Sequence, residues 1–198
     1  LADLLVGAPG SSSAAGRNYV VYGKTGGVAI DLSAVAAGSG GFVINGQCQG
    51  DFSGYSVSSA GDVNGDGLAD LIIGSAIAGL EGPGRSYVIF GKTSVADVEL
   101  SSLEGDYSAG FVINGESNSD ASGYSVSAAG DVNGDGLADL IVGAVYLDNG
   151  RGQSYVVFGK TLSRGIDLSA LASQSGGFVI KGPGNGERDG WSVSAAGD

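Results

Sequence analysis

The chain has 198 residues, 39 of them Gly, with no His, no Met, one Cys and a formal net charge of −12. Without His there is no imidazole base, no Ser-His-Asp or Cys-His set and no His-ligated zinc, and a single Cys makes neither an intrachain disulfide nor a Cys-rich metal site. Nine scattered Lys and Arg do not form the basic patch that nucleic-acid phosphates require; an acidic surface draws cations instead.

Gly does not recur at every third position and only three Pro occur, which excludes collagen. No run approaches the ~20 apolar residues of a membrane span, and no signal peptide is expected in this stretch. The chain opens at Leu1 without an initiator Met, so the expectation is a piece of a longer or processed protein. Cys48 is expected to be a small buried apolar side chain.

Self-comparison organises everything else. LADLLVGAP at Leu1 returns as LADLIIGSA at Leu68 and LADLIVGAV at Leu137. The repeats are therefore 1–67, which starts mid-repeat, 68–136, and 137–198, which breaks off in its Asp-rich loop.

Each repeat spells out the same elements in order. LIIGSA and its copies form a short β-branched run, followed by a variable loop at 9–17, 77–85 or 145–152. The second strand is YVVYGKT, YVIFGKT or YVVFGKT from Tyr19, Tyr87 and Tyr155. A D-L-S-x-L element at Asp31, Glu99 and Asp167 predicts a single helical turn. GFVI at Gly41, Gly110 and Gly177 is the third strand. GYSVSSAGD, from Gly54, Gly123 and Gly190 (Trp replacing Tyr in the last), alternates at period two as a half-buried strand does.

Four strands per repeat, joined by Gly, Ser and Asp turns, predict an all-β architecture. Units of ~60–70 residues match large propeller blades better than solenoid coils of ~20–45 residues. A ring normally takes ~4–8 blades, so three repeats make part of a larger or oligomeric ring. The GKT triplets are not P-loops: the Gly required five residues earlier is Asn18, Ser86 or Ser154, and strands flank them. Each predicts a turn with an exposed Lys.

DVNGDGLAD occurs intact twice. Asp62, Asn64 and Asp66 place oxygen-bearing side chains at alternate positions of a tight loop, with Gly65 and Gly67 permitting it to curl. The Leu68 carbonyl and Asp70 complete the expected ligand set. Asp131, Asn133, Asp135, the Leu137 carbonyl and Asp139 repeat it. All-oxygen, carboxylate-rich ligation selects Ca²⁺ over Mg²⁺. Two carboxylates ~5 Å apart repel by about 3 kcal/mol at an effective dielectric of ~20, so a cation would hold such a loop closed. The competing explanation is an Asx-rich turn without metal. An EF-hand is excluded, since its position 12 holds Ile73 or Val142 rather than a carboxylate.

The pattern resembles the FG-GAP repeats of the integrin α-chain β-propeller and of related bacterial extracellular proteins. Gly54-Tyr55-Ser56-Val57 leads into Gly61-Asp62-Val63-Asn64-Gly65-Asp66-Gly67-Leu68-Ala69-Asp70-Leu71, and Val6-Gly7-Ala8-Pro9 supplies the closing motif. The resemblance covers the whole chain. It implies four-stranded antiparallel blades with a calcium loop between first and second strands, facing one side of the ring. The Phe before Gly is replaced by Ser53, Ser122 or Asp189, and Ala-Pro survives once. Asp198 and Asp3 stand as halves of incomplete third loops. Only the blades at 52–115 and 122–182 are expected to be complete, and unpaired edges favour pairing with further repeats or other copies of the chain.

The functional expectation is a calcium-binding, secreted or cell-surface propeller segment acting in adhesion or protein interaction, with a protein or glycan ligand and no nucleic acid. The alternatives are a structural subunit of a surface layer or filament, and a non-catalytic propeller accessory to an enzyme. Catalysis by the segment itself is not expected. Gly54-Tyr55-Ser56-Val57-Ser58 lacks the final Gly of a nucleophile elbow, and the five Glu, mostly in variable loops, offer no glycosidase pair. Tyr55, Tyr124 and Trp191 share one repeat position and are expected to pack blade on blade rather than serve as a sugar platform. Glu81, Arg85, Tyr146, Asp148 and Arg151 are loop candidates for partner contacts.

Overall fold

The Gly-bounded β-branched runs become strands, as their side-chain type favours. The structure is a computed structural model that describes residues 1–198 apart from 77–81, 161–163, 174 and 198. In chain order the strands are β1 (Leu4–Ala8), β2 (Arg17–Val21), β3 (Gly41–Asn45), β4 (Ser56–Gly61), β5 (Asp70–Ser75), β6 (Arg85–Ile89) and β7 (Val98–Glu99). They continue as β8 (Gly110–Asn114), β9 (Ser122–Gly130), β10 (Asp139–Ala144), β11 (Gln153–Val157), β12 (Ile166–Asp167) and β13 (Gly177–Lys181).

They form three sheets, ordered β1-β2-β3-β7, β4-β5-β6-β8-β12 and β9-β10-β11-β13. The long strands pair antiparallel as meanders. The two-residue strands β7 and β12 each belong to the following repeat and add in parallel to the outer strand before them, pairing Ile44 with Val98 and Ile113 with Ile166. The first two sheets are thus each latched by their successor. The fold is nearly all-β, in blades, and the described residues close no ring.

The D-L-S-x-L element behaves as expected. Asp31 caps the helix Leu32–Ala36, its carboxylate accepting from the Ser33 N–H at 2.9 Å, which satisfies one orphan donor of the first turn. Glu99 and Asp167 precede 3₁₀ turns at Leu100–Leu103 and Leu168–Ser173. Leu100, Leu103, Leu168 and Leu171 are buried, so these turns plug the ends of the blade interfaces.

The core lies between sheets. Phe42 and Ile44 of β3 pack with Ile73, Tyr87 and Ile89 of the next blade; Phe111 and Ile113 of β8 pack with Val142, Tyr155 and Val157. Each such side chain contributes about 1.5–3 kcal/mol on burial. The blades approach closely where an inner strand begins: a Cβ on Gly7, Gly74 or Gly143 would collide with the carbonyl of Gly54, Gly123 or Gly190, and one on Gly16, Gly84 or Gly152 with the backbone of Ser53, Ser122 or Asp189. Two glycines per interface therefore set the spacing.

Two expectations need correction. Lys92 and Lys160 of the GKT turns are half-buried, not exposed, and lie over the Phe42 and Phe111 rings of the preceding blade at 4.4 and 5.5 Å from the centroids. The aliphatic stems cover the blade junction while the ammonium faces an aromatic ring; burial holds both ammonium pKa values below the usual lysine range. Only Lys24, which has no blade before it among the described residues, is exposed. Cys48, expected to be buried, is an exposed free thiol. It occupies the turn between β3 and β4, where its N–H donates to Asp51 at 2.9 Å.

Candidate functional site: the Asp-rich loops

Both intact loops connect an inner strand to its neighbour, β4 to β5 and β9 to β10, and they fold alike. The Asp62 Oδ1 accepts from the Gly65 and Asp66 N–H groups at 2.7 and 3.1 Å, and its Oδ2 from Gly67 at 2.9 Å. Asn64 Oδ1 accepts from Asp66 N–H, and Asn64 Nδ2 donates to Asp66 Oδ2, both at 2.9 Å. The Leu68 N–H donates to Asp66 Oδ1 at 2.8 Å. In the second loop Asp131, Asn133, Asp135 and the Leu137 N–H make the same contacts within 0.1 Å. Positive φ at Gly65 (80°) and Gly67 (84°) lets successive N–H groups turn inward onto Asp62.

Asp70 and Asp139 do something the sequence did not reveal. Both are fully buried at the head of the second strand. Asp70 accepts from Val63 N–H at 2.8 Å and from Gly91 N–H at 2.7 Å. Asp139 accepts from Val132, Asn133 and Gly159 N–H at 2.7, 3.3 and 2.8 Å. Gly91 and Gly159 open GKT turns, so each carboxylate staples its Asp-rich loop to the turn after the next strand. Asp3 makes the same contact to Gly23 at 2.9 Å, at the surface. The signal was available: the Asp-to-Gly separation is 20, 21 and 20 residues in the three repeats. Asp198, the other half of the split loop, lies outside the described residues.

The donor set of the loops suits a divalent cation. An ionised carboxylate offers about four lone-pair sites. Asp62 uses three on backbone N–H groups, and Asp66 uses one on the Leu68 N–H and one on the Asn64 side-chain amide, so oxygen lone pairs remain on both. The set is all oxygen, which fits a hard cation. Among the described residues no three acidic side chains are gathered around one ion-sized point; backbone N–H groups carry the compensating positive charge. Burial holds the Asp70 carboxyl above the usual carboxylate range, opposed by the Gly91 and Val63 N–H groups, while the Asp66 and Asp62 charges push with burial.

Two buried carboxyls away from these loops give a pH prediction. Burial raises Asp51 and Asp120, against N–H donors from Cys48 and from Ser117, Ser122 and Glu116 respectively. A carboxyl raised on folding favours the native state while protonated, and that advantage is lost as pH rises through the folded value. Asp31 and Asp106, lowered mainly by Ser33 and Ser108, act oppositely but only below the ordinary carboxylate range. In chelator the thermal midpoint is therefore expected to be higher at about pH 5 than at about pH 7.5. A scan at both values checks this, and a lower midpoint at the acid end contradicts it.

The aromatic positions pack as expected across successive blades. Tyr124 lies 4.9 Å from Tyr55 and 4.6 Å from Trp191, centroid to centroid, and Arg188 sits over Trp191 and Tyr146. Of the loop candidates, Arg85 is paired with Glu104 and Arg151 with Asp148. Tyr146 is exposed, and Glu81 lies outside the described residues. No helix among the described residues is long and apolar enough to cross a membrane.

Comparison with known proteins agrees with the geometry. The FG-GAP repeat family model matches residues 53–89 and 122–157, from the start of each inner strand, or just before it, through the strand before GKT. Integrin alpha pat-2 of Caenorhabditis elegans is 38% identical over 46% of this chain and 7% of its own length. Integrin alpha-PS2 of Drosophila melanogaster is 33% identical over 61% of this chain and 9% of its own. Phosphatidylinositol-glycan-specific phospholipase D of Bos taurus is 34% identical over 78% of this chain and 18% of its own. The chain thus spans less than a tenth of the two integrin chains. Residues 53–89 and 122–157 are FG-GAP repeats, the units of β-propeller blades, and the chain is similar to integrin α chains.

Proposed function

We propose that the chain is a calcium-binding propeller segment, repeats 1–67, 68–136 and 137–198, of a secreted or cell-surface protein that acts in adhesion or protein interaction. The observation that carries this is the identical folding of two Asp-rich loops at the same place in successive blades, with unspent carboxylate lone pairs in each. Asp62, Asn64, Asp66 and the Leu68 carbonyl hold one ion and Asp131, Asn133, Asp135 and the Leu137 carbonyl the other. Asp70 and Asp139 join their loops' ligand sets from the strand heads. Bound calcium supplies fixed positive charge and ties the two inner strands together. Similarity to integrin α chains supports a protein partner and an extracellular setting. The likeness to a phospholipase D supports a second reading, a non-catalytic propeller accessory to an enzyme.

Isothermal calcium titration of the metal-stripped chain tests the assignment. Two ions per chain are expected, with dissociation constants of ~10⁻⁴–10⁻³ M typical of extracellular modules. Asp62→Ala removes one and Asp62→Ala with Asp131→Ala removes both. Titration heats no larger than those of Mg²⁺, or unchanged by these substitutions, would contradict it.

A further inference from the structure

We propose that Asn185 is a site of spontaneous deamidation, and that the fold protects the two Asn-Gly pairs of the Asp-rich loops from the same reaction. Asn stands before Gly six times, at Asn45, Asn64, Asn114, Asn133, Asn149 and Asn185. This pairing is especially open to the reaction, because Gly has no Cβ to hinder its own backbone nitrogen. The Gly nitrogen loses its proton to solvent base and attacks the Asn Cγ; a C–N bond forms and the side-chain nitrogen leaves as ammonia. Water then opens the five-membered succinimide at either carbonyl, giving aspartate or isoaspartate. Only water is consumed, so neither cofactor nor enzyme is required.

By sequence the six pairs are alike; by structure they are not. An attacking nitrogen must first be free of its hydrogen bond, and five of the six are held. The Gly65 and Gly134 N–H groups donate to the carboxylates of Asp62 and Asp131 at 2.7 and 2.8 Å, and a neighbouring negative charge opposes the amide anion that attack requires. The Asn64 and Asn133 side chains are pinned at both ends, the oxygen by the Asp66 or Asp135 N–H and the nitrogen by the carboxylate of the same residue. Gly46 and Gly115 donate to the Gly16 and Gly84 carbonyls at 3.0 Å, while Asn45 and Asn114 give side-chain N–H groups to Glu99 and Asp167. Gly150 donates to the Tyr146 carbonyl at 3.2 Å, which leaves exposed Asn149 the most weakly held of the five.

Asn185 differs on each count. Among the described residues neither its side chain nor the Gly186 N–H has a hydrogen-bond partner. Both residues are exposed, and a Cβ on Gly186 would meet nothing within 4 Å, which leaves room for the ring to close. At the matching positions of the two earlier turns the N–H is bound: Gly50 donates to the Ala14 carbonyl at 3.1 Å and Ser119 to the Gly82 carbonyl at 3.2 Å. Gln49 and Asn118 in those turns are exposed although a further blade follows each, so the exposure of Asn185 belongs to the turn itself. The product adds one negative charge beside Glu187 and Asp189, in the turn whose Arg188 lies over Tyr146 and Trp191. Isoaspartate also adds a backbone methylene there, so the turn changes in shape as well as in charge.

The test incubates the 198-residue chain in chelator at mildly alkaline pH and follows each Asn by peptide mass spectrometry, with isoaspartate read by enzymatic methylation. In the native chain Asn185 is expected to deamidate ~10-fold or more faster than Asn64 and Asn133, the ratio that the net worth of one hydrogen bond gives. In concentrated urea the six rates should converge. Asp62→Ala, which frees the Gly65 N–H, should accelerate Asn64 while Asn133 and Asn185 keep their native rates. Equal native rates at Asn185 and Asn64 overturn the proposal, as does a difference that persists in urea; an Asn64 rate unmoved by Asp62→Ala overturns the protection. No step involves a cation, so its failure would leave the calcium titration untouched.

Discussion

Asp139→Ala is expected to destabilise the chain by about 2–4 kcal/mol, while Asp3→Ala, which removes the same contact at the surface, costs less than about 1 kcal/mol. Burial makes the difference. Asp139 is fully buried and its removal strands the Gly159 N–H without an acceptor, a loss worth about 1–3 kcal/mol for one buried group. The Val132 and Asn133 N–H groups lose the same acceptor, but those residues are exposed and water recovers part of that loss. Asp3 accepts from Gly23 in an exposed setting, where water replaces the carboxylate cheaply. Asp139→Asn retains one oxygen for Gly159 and should fall between the two. Denaturant unfolding of the three variants measures this; equal costs for Asp3→Ala and Asp139→Ala would show that the staple does not matter.

The staple gives the recurring GKT triplet a structural task. Its Gly presents an N–H to the strand-head Asp, and its Lys lies over the Phe of the preceding blade in two of three repeats. Loop, turn and blade junction form one connected unit. A ligand that orders the loop therefore acts on the interface between blades as well as on the loop.

Much of this was legible in the sequence because repetition supplies its own controls. Three copies of each string gave the strand order, and the short D-L-S-x-L turns followed from an acidic residue before Leu, though only Asp31 caps its turn through its side chain. Four features were not legible. The parallel pairing of β7 and β12 with the preceding blade joins residues more than fifty positions apart, and two-residue strands leave no periodicity to detect. Lys92 and Lys160 read as exposed because a charged residue in a Gly turn usually is; only the neighbouring blade, invisible in a linear string, provides the aromatic face. Cys48 erred the other way, since its type favours the interior but its turn does not. The Asp-rich loops were found by spacing and donor type, whereas the task of Asp70 and Asp139 needed the fold to bring Gly91 and Gly159 to them.

Calcium should stabilise the chain by an amount at least comparable to the cost of Asp139→Ala. Binding to the native state alone contributes RT ln(1 + [L]/Kd) per site. At ~10 mM calcium and dissociation constants of ~10⁻⁴–10⁻³ M, each loop adds about 1.4–2.7 kcal/mol. Two loops add about 3–5 kcal/mol, and at ~2–4 °C per kcal/mol for a chain of this size the midpoint rises by roughly 6–20 °C. Magnesium, which demands near-octahedral geometry and gives up water reluctantly, should do far less. Asp66→Ala with Asp135→Ala removes a carboxylate from each loop while leaving the buried staples intact. The decisive measurement is therefore thermal unfolding of the chain in chelator, calcium and magnesium, beside this double variant. A calcium-specific rise that the double variant loses is the predicted result. An unchanged midpoint at ~10 mM calcium, or a rise that survives both substitutions, would contradict the assignment of these loops as calcium sites.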